Sequence, residues 1–250
     1  MDGLPQPTEN AAAFSQRHDN VFARIAHRYD RLCDVFSLGI HRIWKSAMAT
    51  RMSAHLSESV LDVASGTGDI PLRLLKRGLS PEALWVTDLC PQMLAMAEHK
   101  LAARGNGLRL AICDAENLKE FGDATFDAYS ISFAMKICDR KKIIDEAFRV
   151  LKPGGRFYCL EAARIPFAPI HAAYLAYMDW CMPLIGRLAA DGDASAYVYL
   201  LRGVHQFPDQ DAFAEELRQA GFASVSYQNL TFGIVALHEA TKPQRAKDFQ

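Results

Sequence analysis

Val60-Leu61-Asp62-Val63-Ala64-Ser65-Gly66-Thr67-Gly68-Asp69 is the stretch that decides the fold. An apolar strand runs into a Gly-Thr-Gly turn, and the turn opens a helix. A second strand then ends on Asp88, twenty residues beyond Gly68. This is the layout of a nucleoside-binding βαβ unit. The glycines let the backbone approach a ligand closely. A carboxylate at the tip of the second strand can accept hydrogen bonds from both ribose hydroxyls. The competing reading is a tight strand-to-helix turn with no ligand.

The same residues narrow the nucleoside. A dinucleotide fingerprint reads G-x-G-x-x-G, which requires glycine at position 71, and the chain has Pro71. Asp69 stands at the helix start, where a pyrophosphate would lie on the amide donors. Its carboxylate repels a diphosphate and suits a phosphate-free cofactor with a cationic part. S-adenosylmethionine (SAM) fits, with its adenosine, sulfonium and amino-acid tail. A nicotinamide-dependent dehydrogenase is excluded on the same grounds. Pro71 costs no hydrogen bond, because first-turn amides have no intrahelical partner.

At 250 residues the chain is long enough for one α/β domain with a large core. A net charge of −1 gives no case for nucleic acid binding. Six scattered cysteines form no C-x-x-C pair and no metal-ligand spacing, which predicts reduced thiols in a cytoplasmic protein with no metal. Residues 1–18 read as a disordered lead-in without a secretory signal. The most apolar region, Ile165 to Ala190, is interrupted by prolines, Asp179 and Arg187, which argues against a spanning helix. Its aromatics and methionines can still touch a bilayer surface or a greasy ligand. A homodimer is left open.

Periodicity predicts helices over Val21–Leu32 and His41–Leu56, then alternating strands and helices. The strands are Val60–Ala64, Ala83–Thr87, Leu108–Cys113, Phe126–Phe133 and Arg156–Leu160. Lys152-Pro153-Gly154-Gly155 reads as a turn before the fifth. A helical, aromatic segment over 162–207 interrupts the alternation as a lid or acceptor pocket. A helix over Asp209–Ala220, capped by Asp209, and two strands close a single domain over 19–240, leaving a tail at 241–250. The expected fold is a doubly wound, mostly parallel sheet with helices on both faces.

Several separated blocks resemble the ubiquinone/menaquinone biosynthesis C-methyltransferase family. They are Val21 to Asp30, Ser37 to Lys45, Leu61 to Asp69, Phe148 to Gly155, Phe207 to Gln210 and Asn229 to His238. The resemblance implies a Rossmann-like SAM-dependent fold whose seventh strand is antiparallel. It also implies methylation of a ring carbon on a polyprenyl quinol, a small-molecule acceptor that dissolves in membranes. Four departures lie on the acceptor side. The family's Phe-Gly-(Ile/Leu)-Arg-Asn is here Phe133-Ala134-Met135-Lys136-Ile137. Its Glu-Phe-Ser is Glu161-Ala162-Ala163, its Glu-Ser-Ile is Arg202-Gly203-Val204, and an N-terminal Asn is Cys33.

The expected cofactor site comprises Asp62 for the methionyl amine, the Gly66-Thr67-Gly68 cradle and Asp88 for the ribose. Asp114 and Ala115 would meet the adenine, with Met93 packed on it. Ser132 is similar to a cofactor-contacting serine of the family. Tyr29 and Lys45 would close over the methionyl tail. On the acceptor side Lys136 is the candidate cation beside a phenolate and His205 the candidate base. Tyr174, Tyr177, Tyr197 and Tyr199 are candidate pocket residues. Asp139 and Glu161 carry no stronger claim. The alternatives are an N- or O-methyltransferase acting on another small molecule or lipid head group, and a non-catalytic SAM-binding scaffold.

Overall fold

The computed structural model describes residues 21–244 except positions 56, 106, 190–200 and 202. The expected lead-in, most of the tail, Tyr197 and Tyr199 lie outside the described residues. Helix α1 (Val21–Ile25), a single 3-10 turn (Ala26–Arg28), α2 (Tyr29–Ser37) and α3 (His41–Ser53) come first. The helix predicted over Val21–Leu32 is therefore broken at 26–28 and continues to Ser37. Its apolar face survives the break, since Ile25, Ala26 and Leu32 are buried in one cluster.

The alternating part follows as β1 (Val60–Val63), α4 (Asp69–Lys76), β2 (Leu84–Asp88), α5 (Pro91–Leu101), β3 (Arg109–Ile112) and β4 (Phe126–Ser132). Then come α6 (Arg140–Val150), β5 (Leu151–Ala162), the long α7 (Ala168–Ala189), α8 (Gln210–Gln219), β6 (Ala223–Leu230) and β7 (Val235–Thr241). The seven strands form one sheet in the order β3-β2-β1-β4-β5-β7-β6. The first five pair in parallel, and β7 runs antiparallel between β5 and β6. The strand order reverses between β1 and β4, and ligands of such sheets bind beyond the strand ends at that point.

Strand alternation divides the core into two layers. Leu61, Val63, Tyr129, Ile131, Phe157 and Cys159 meet α6 and α8 through Ile143, Ile144, Ala147, Phe213 and Leu217. Val60, Leu84, Val86, Ala128, Tyr158 and Leu160 meet α3, α4 and α5 through Met48, Ile70, Leu74, Leu94 and Ala97. Buried on both faces, the central strands read as continuous apolar runs.

The turn expected at Lys152–Gly155 is instead absorbed into β5. Leu151 pairs with Phe126 and Arg156 with Ala128, so the intervening residues bulge from the ladder, with Gly154 at φ +79°. Backbone bonds from Gly154 N to Lys242 O and from Lys242 N to Gly155 O hold the bulge against the chain beyond β7. The α8 cap is as expected: the Asp209 carboxylate accepts from Ala212 N at 2.9 Å. No helix among the described residues is long and apolar enough to cross a membrane.

Candidate active site

The chain leaves β1 through Ala64 (φ +48°), Gly66 (+57°) and Gly68 (+77°). Ser65 N donates to Thr87 O at 2.9 Å, which ties this loop to β2. A Cβ on Gly68 would stand 3.0 Å from Ala97 Cβ, so α4 starts hard against α5 and only glycine fits. A Cβ on Gly66 would meet only the Tyr29 ring edge, at 3.9 Å. The front of the turn is thus open, with Tyr29 across from it.

Two buried carboxylates border this opening. Asp62, 1% exposed at the centre of the sheet, accepts a hydrogen bond from the Ser130 hydroxyl of its in-register neighbour on β4. Burial pushes its carboxyl up to about 7 against the lowering effects of that bond and of Lys45. Asp88 accepts from Gly66 N at 2.7 Å and Cys90 N at 2.8 Å. Burial pushes it up to about 6. A carboxylate has about four acceptor positions, so two amides leave Asp88 able to accept more.

Asp69 corrects one expectation. Its carboxylate is not held open for a cation but already surrounded by three. Lys45 Nζ lies at 3.0 Å, Lys100 Nζ at 3.3 Å and Arg73 Nη1 at 3.4 Å. Burial alone would raise the Asp69 carboxyl; Lys45, Lys100 and Arg73 outweigh it and hold it well below the usual range. Lys45, buried at this pair, is engaged with Asp69. Lys100 also meets Asp30 Oδ2 at 2.6 Å and Thr67 Oγ1 at 2.9 Å, and the Thr67 hydroxyl donates to Asp30. Helix α2 is thereby fastened to the cradle.

Of the remaining expected cofactor residues, Asp114 sits just past β3, where its side chain accepts from Glu116 N at 2.9 Å. Ala115 packs against the α6-side core. Met93 is buried with Ile25, Leu32 and Cys90, and Ser132 is half-buried at the end of β4.

The edge expected to take the acceptor lies beside β4 and β5. Lys136, in a 3-10 turn after β4, donates from Nζ to Glu161 Oε1 at 2.8 Å and to Phe133 O. Its backbone amide donates to Glu161 Oε2 at 3.2 Å. Glu161 is 1% exposed and also accepts from Ala162 N at 2.7 Å. Lys136 is therefore a paired cation rather than a lone one. Gly203 lies directly on this turn: a Cβ there would stand 2.9 Å from Lys136 O and 3.3 Å from Ile137 Cγ2. Three of the positions that depart from the family pattern, 136, 137 and 203, are in mutual contact.

His205, two residues on, pairs through Nε2 with Asp179 Oδ1 of α7 at 2.8 Å. Tyr174 is half-buried on α7. Tyr177, like Trp180, is exposed on α7. Ser130, Asp30, Lys100, the role of Glu161 and the Gly203 contact escape a reading of the sequence. Ser130 alone had a signal, since pairing β4 with β1 puts it level with Asp62.

The match to the ubiE/COQ5 methyltransferase family model covers residues 11–242. This chain belongs to the ubiE/COQ5 methyltransferase family. The "Ubiquinone/menaquinone biosynthesis C-methyltransferase UbiE" of Cereibacter sphaeroides is 41% identical over 225 residues, 89% of each chain. That of Bartonella tribocorum is 41% identical over 231 residues, 90% of this chain and 87% of the other. Among solved structures, a possible histamine N-methyltransferase from Thermotoga maritima shares the fold at TM-score 0.60 and 16% identity, over 88% of this chain and 97% of that one. So does the SAM complex of Haemonchus contortus phosphoethanolamine N-methyltransferase 2, at TM-score 0.57 and 15% identity, over 80% of this chain and 52% of that one. The family member described here is a SAM-dependent methyltransferase. Its residues fit the cofactor: a Cβ at Gly66 would meet only Tyr29, and two buried carboxylates, Asp62 and Asp88, border the turn.

Proposed function

We propose that this protein methylates a ring carbon of an isoprenoid-tailed benzoquinol or naphthoquinol. The observation that carries the reading is one sheet edge holding both an adenosine-type cradle and, beside it, a buried ammonium. The names of the 41% identical relatives support the quinone assignment.

SAM supplies an activated methyl group on a sulfonium. Asp62 would hold its ammonium, Asp88 its ribose, and Asp114 with Ala115 its adenine. Tyr29 would cover the tail, and Thr67 is kept in place by Asp30 and Lys100. Displacement at a methyl group needs the acceptor in line, so orientation is the protein's main contribution. A quinol hydroxyl has a phenol-like pKa of about 10 and its ring carbon attacks best as the phenolate. Lys136 would stabilise that phenolate as a point charge, without an arginine's bidentate fork. His205, oriented by Asp179, would take the proton, and Tyr174 would pack on the acceptor.

The test is SAM turnover against reduced quinols, simple phenols and amines, with the product structure determined. Label from methyl-SAM on a quinol ring carbon is the expected result. Label on nitrogen or oxygen would replace this reading with the N- or O-methyltransferase one, to which the Lys136-Ile137 departure points.

A further inference from the structure

Polar side chains stand in the middle of the sheet where packing calls for none. On the face that meets α3, α4 and α5, the adjacent strands β2, β1 and β4 contribute Val86, Val60 and Ala128, all buried and apolar. Two residues further along each strand the same face turns polar, with Asp88, Asp62 and Ser130. In the proposed function Asp88 takes the ribose and Asp62 the ammonium. Ser130 does neither. It is 0% exposed, level with Asp62 in the β1–β4 register, and its hydroxyl donates to Asp62 Oδ1.

Stability does not ask for this pair. A hydrogen-bonded polar pair inside an apolar layer can be exchanged for apolar groups of the same shape at little cost. The backbone of Asp62 is also fixed without Ser130. Its carbonyl oxygen accepts from Ser65 Oγ at 2.9 Å and from Thr87 Oγ1 at 3.1 Å, on top of the strand ladder. The freedom left to Asp62 is rotation of its carboxylate, and the bond to Oδ1 removes it. That bond takes one of about four acceptor positions on the carboxylate.

A hydroxyl suits this place because it rotates. It donates to a carboxylate and can equally accept from the protonated acid. Asp62 titrates at about 7, so both forms are populated near neutral pH. The groups facing it from other elements are Lys45 on α3, which favours the carboxylate, and Asp88 on β2, which disfavours it. Tyr129, beside Ser130, is kept a neutral phenol by burial. Lys45 is engaged with Asp69, and Asp88 with two backbone amides. Among the described residues, Ser130 is the group on another strand that bonds the Asp62 carboxylate.

We propose that Ser130 is a positioning residue for the cofactor, turning the Asp62 carboxylate toward the ligand ammonium and favouring its ionised form without touching the ligand itself. This rests on Asp62 holding the ammonium and is independent of which acceptor is methylated. Ser130→Ala removes a hydrogen bond to a charged group, which raises the Asp62 carboxyl by about one pH unit. SAM affinity in calorimetry is then expected to fall about tenfold at pH 5, about fivefold at pH 7 and about twofold at pH 8. 5′-Methylthioadenosine keeps the adenosine and lacks the amino-acid tail. It should bind Ser130→Ala and wild type alike at every pH. Its own pH dependence reports Asp88, which burial raises to about 6, and cancels from the comparison. Ser130→Thr keeps the hydroxyl and should restore the wild-type profile.

Unchanged SAM affinity in Ser130→Ala overturns the proposal. So does a loss that is equal for the two ligands, or equal at pH 5 and pH 8, since a loosened sheet alone would give it. If Ser130→Thr does not fold, the comparison of the two ligands decides. Asp62→Asn binding SAM as tightly as wild type overturns both the role of Ser130 and that of Asp62. Methyl transfer to an amine, with the pH-dependent loss in Ser130→Ala intact, leaves Ser130 standing and sinks the quinol reading.

Discussion

Asp62 shows how one side chain would couple a bound cofactor to pH. Its folded carboxyl titrates at about 7 and its unfolded one at about 4. Burial therefore favours the protonated folded protein, and that contribution to stability is present below pH 4 and lost as pH rises through 7. Its full size is roughly 4 kcal/mol. A ligand ammonium reverses the preference by favouring the carboxylate. SAM affinity is expected to strengthen from pH 5 to 8, with net proton release seen as buffer-dependent binding enthalpy in calorimetry. Asp62→Asn should weaken binding by roughly tenfold to a hundredfold and flatten both dependences. Glu161 makes a different case. Glu161→Gln leaves the Lys136 ammonium buried without its counter-charge, which costs about 3–5 kcal/mol and lowers the melting temperature. Acceptor turnover should fall with it while SAM affinity in calorimetry stays unchanged, and Glu161→Asp should restore part of the turnover. A variant that melts lower with unchanged acceptor turnover would make the pair merely structural.

Elements whose signals are local were legible in the sequence. The β1 turn announced itself through Gly66 and Gly68, and α8 through Asp209. Lys152–Gly155 misled because a glycine turn signal does not say whether a strand resumes its pairing afterwards; Lys242, some 90 residues on, decides that. Asp69 misled for the same reason. Its partners Lys45 and Lys100 lie 24 and 31 residues away, so its charge reads as free until α3 and α5 are in place. The contact between Gly203 and the Lys136 turn is equally non-local. Gly203→Ala puts a methyl 2.9 Å from Lys136 O, a backbone atom, so the lid segment or the turn must shift. Such overpacking costs about 1–3 kcal/mol. The expected outcome is slower acceptor turnover, with SAM affinity in calorimetry unchanged.

At the scale of the molecule, a net charge of −1 conceals an uneven distribution. Asp62, Asp69 and Asp88 gather around the cradle, with Lys45, Lys100 and Arg73 about Asp69. Composition gave this no weight, since a sum over the chain carries no direction. The sheet order supplies the direction by placing β1, β4 and β5 side by side with their carboxyl ends at one rim.

The ring of Lys45, Lys100 and Arg73 around Asp69 has a consequence for ligand discrimination. One carboxylate restrains three positive groups at the start of α4, where backbone donors already attract negative charge. Asp69→Asn would free that surplus and turn the turn into a polyphosphate trap. Such an enzyme should be inhibited by ATP at concentrations the parent ignores, its fidelity to an uncharged ribose undone by a single amide.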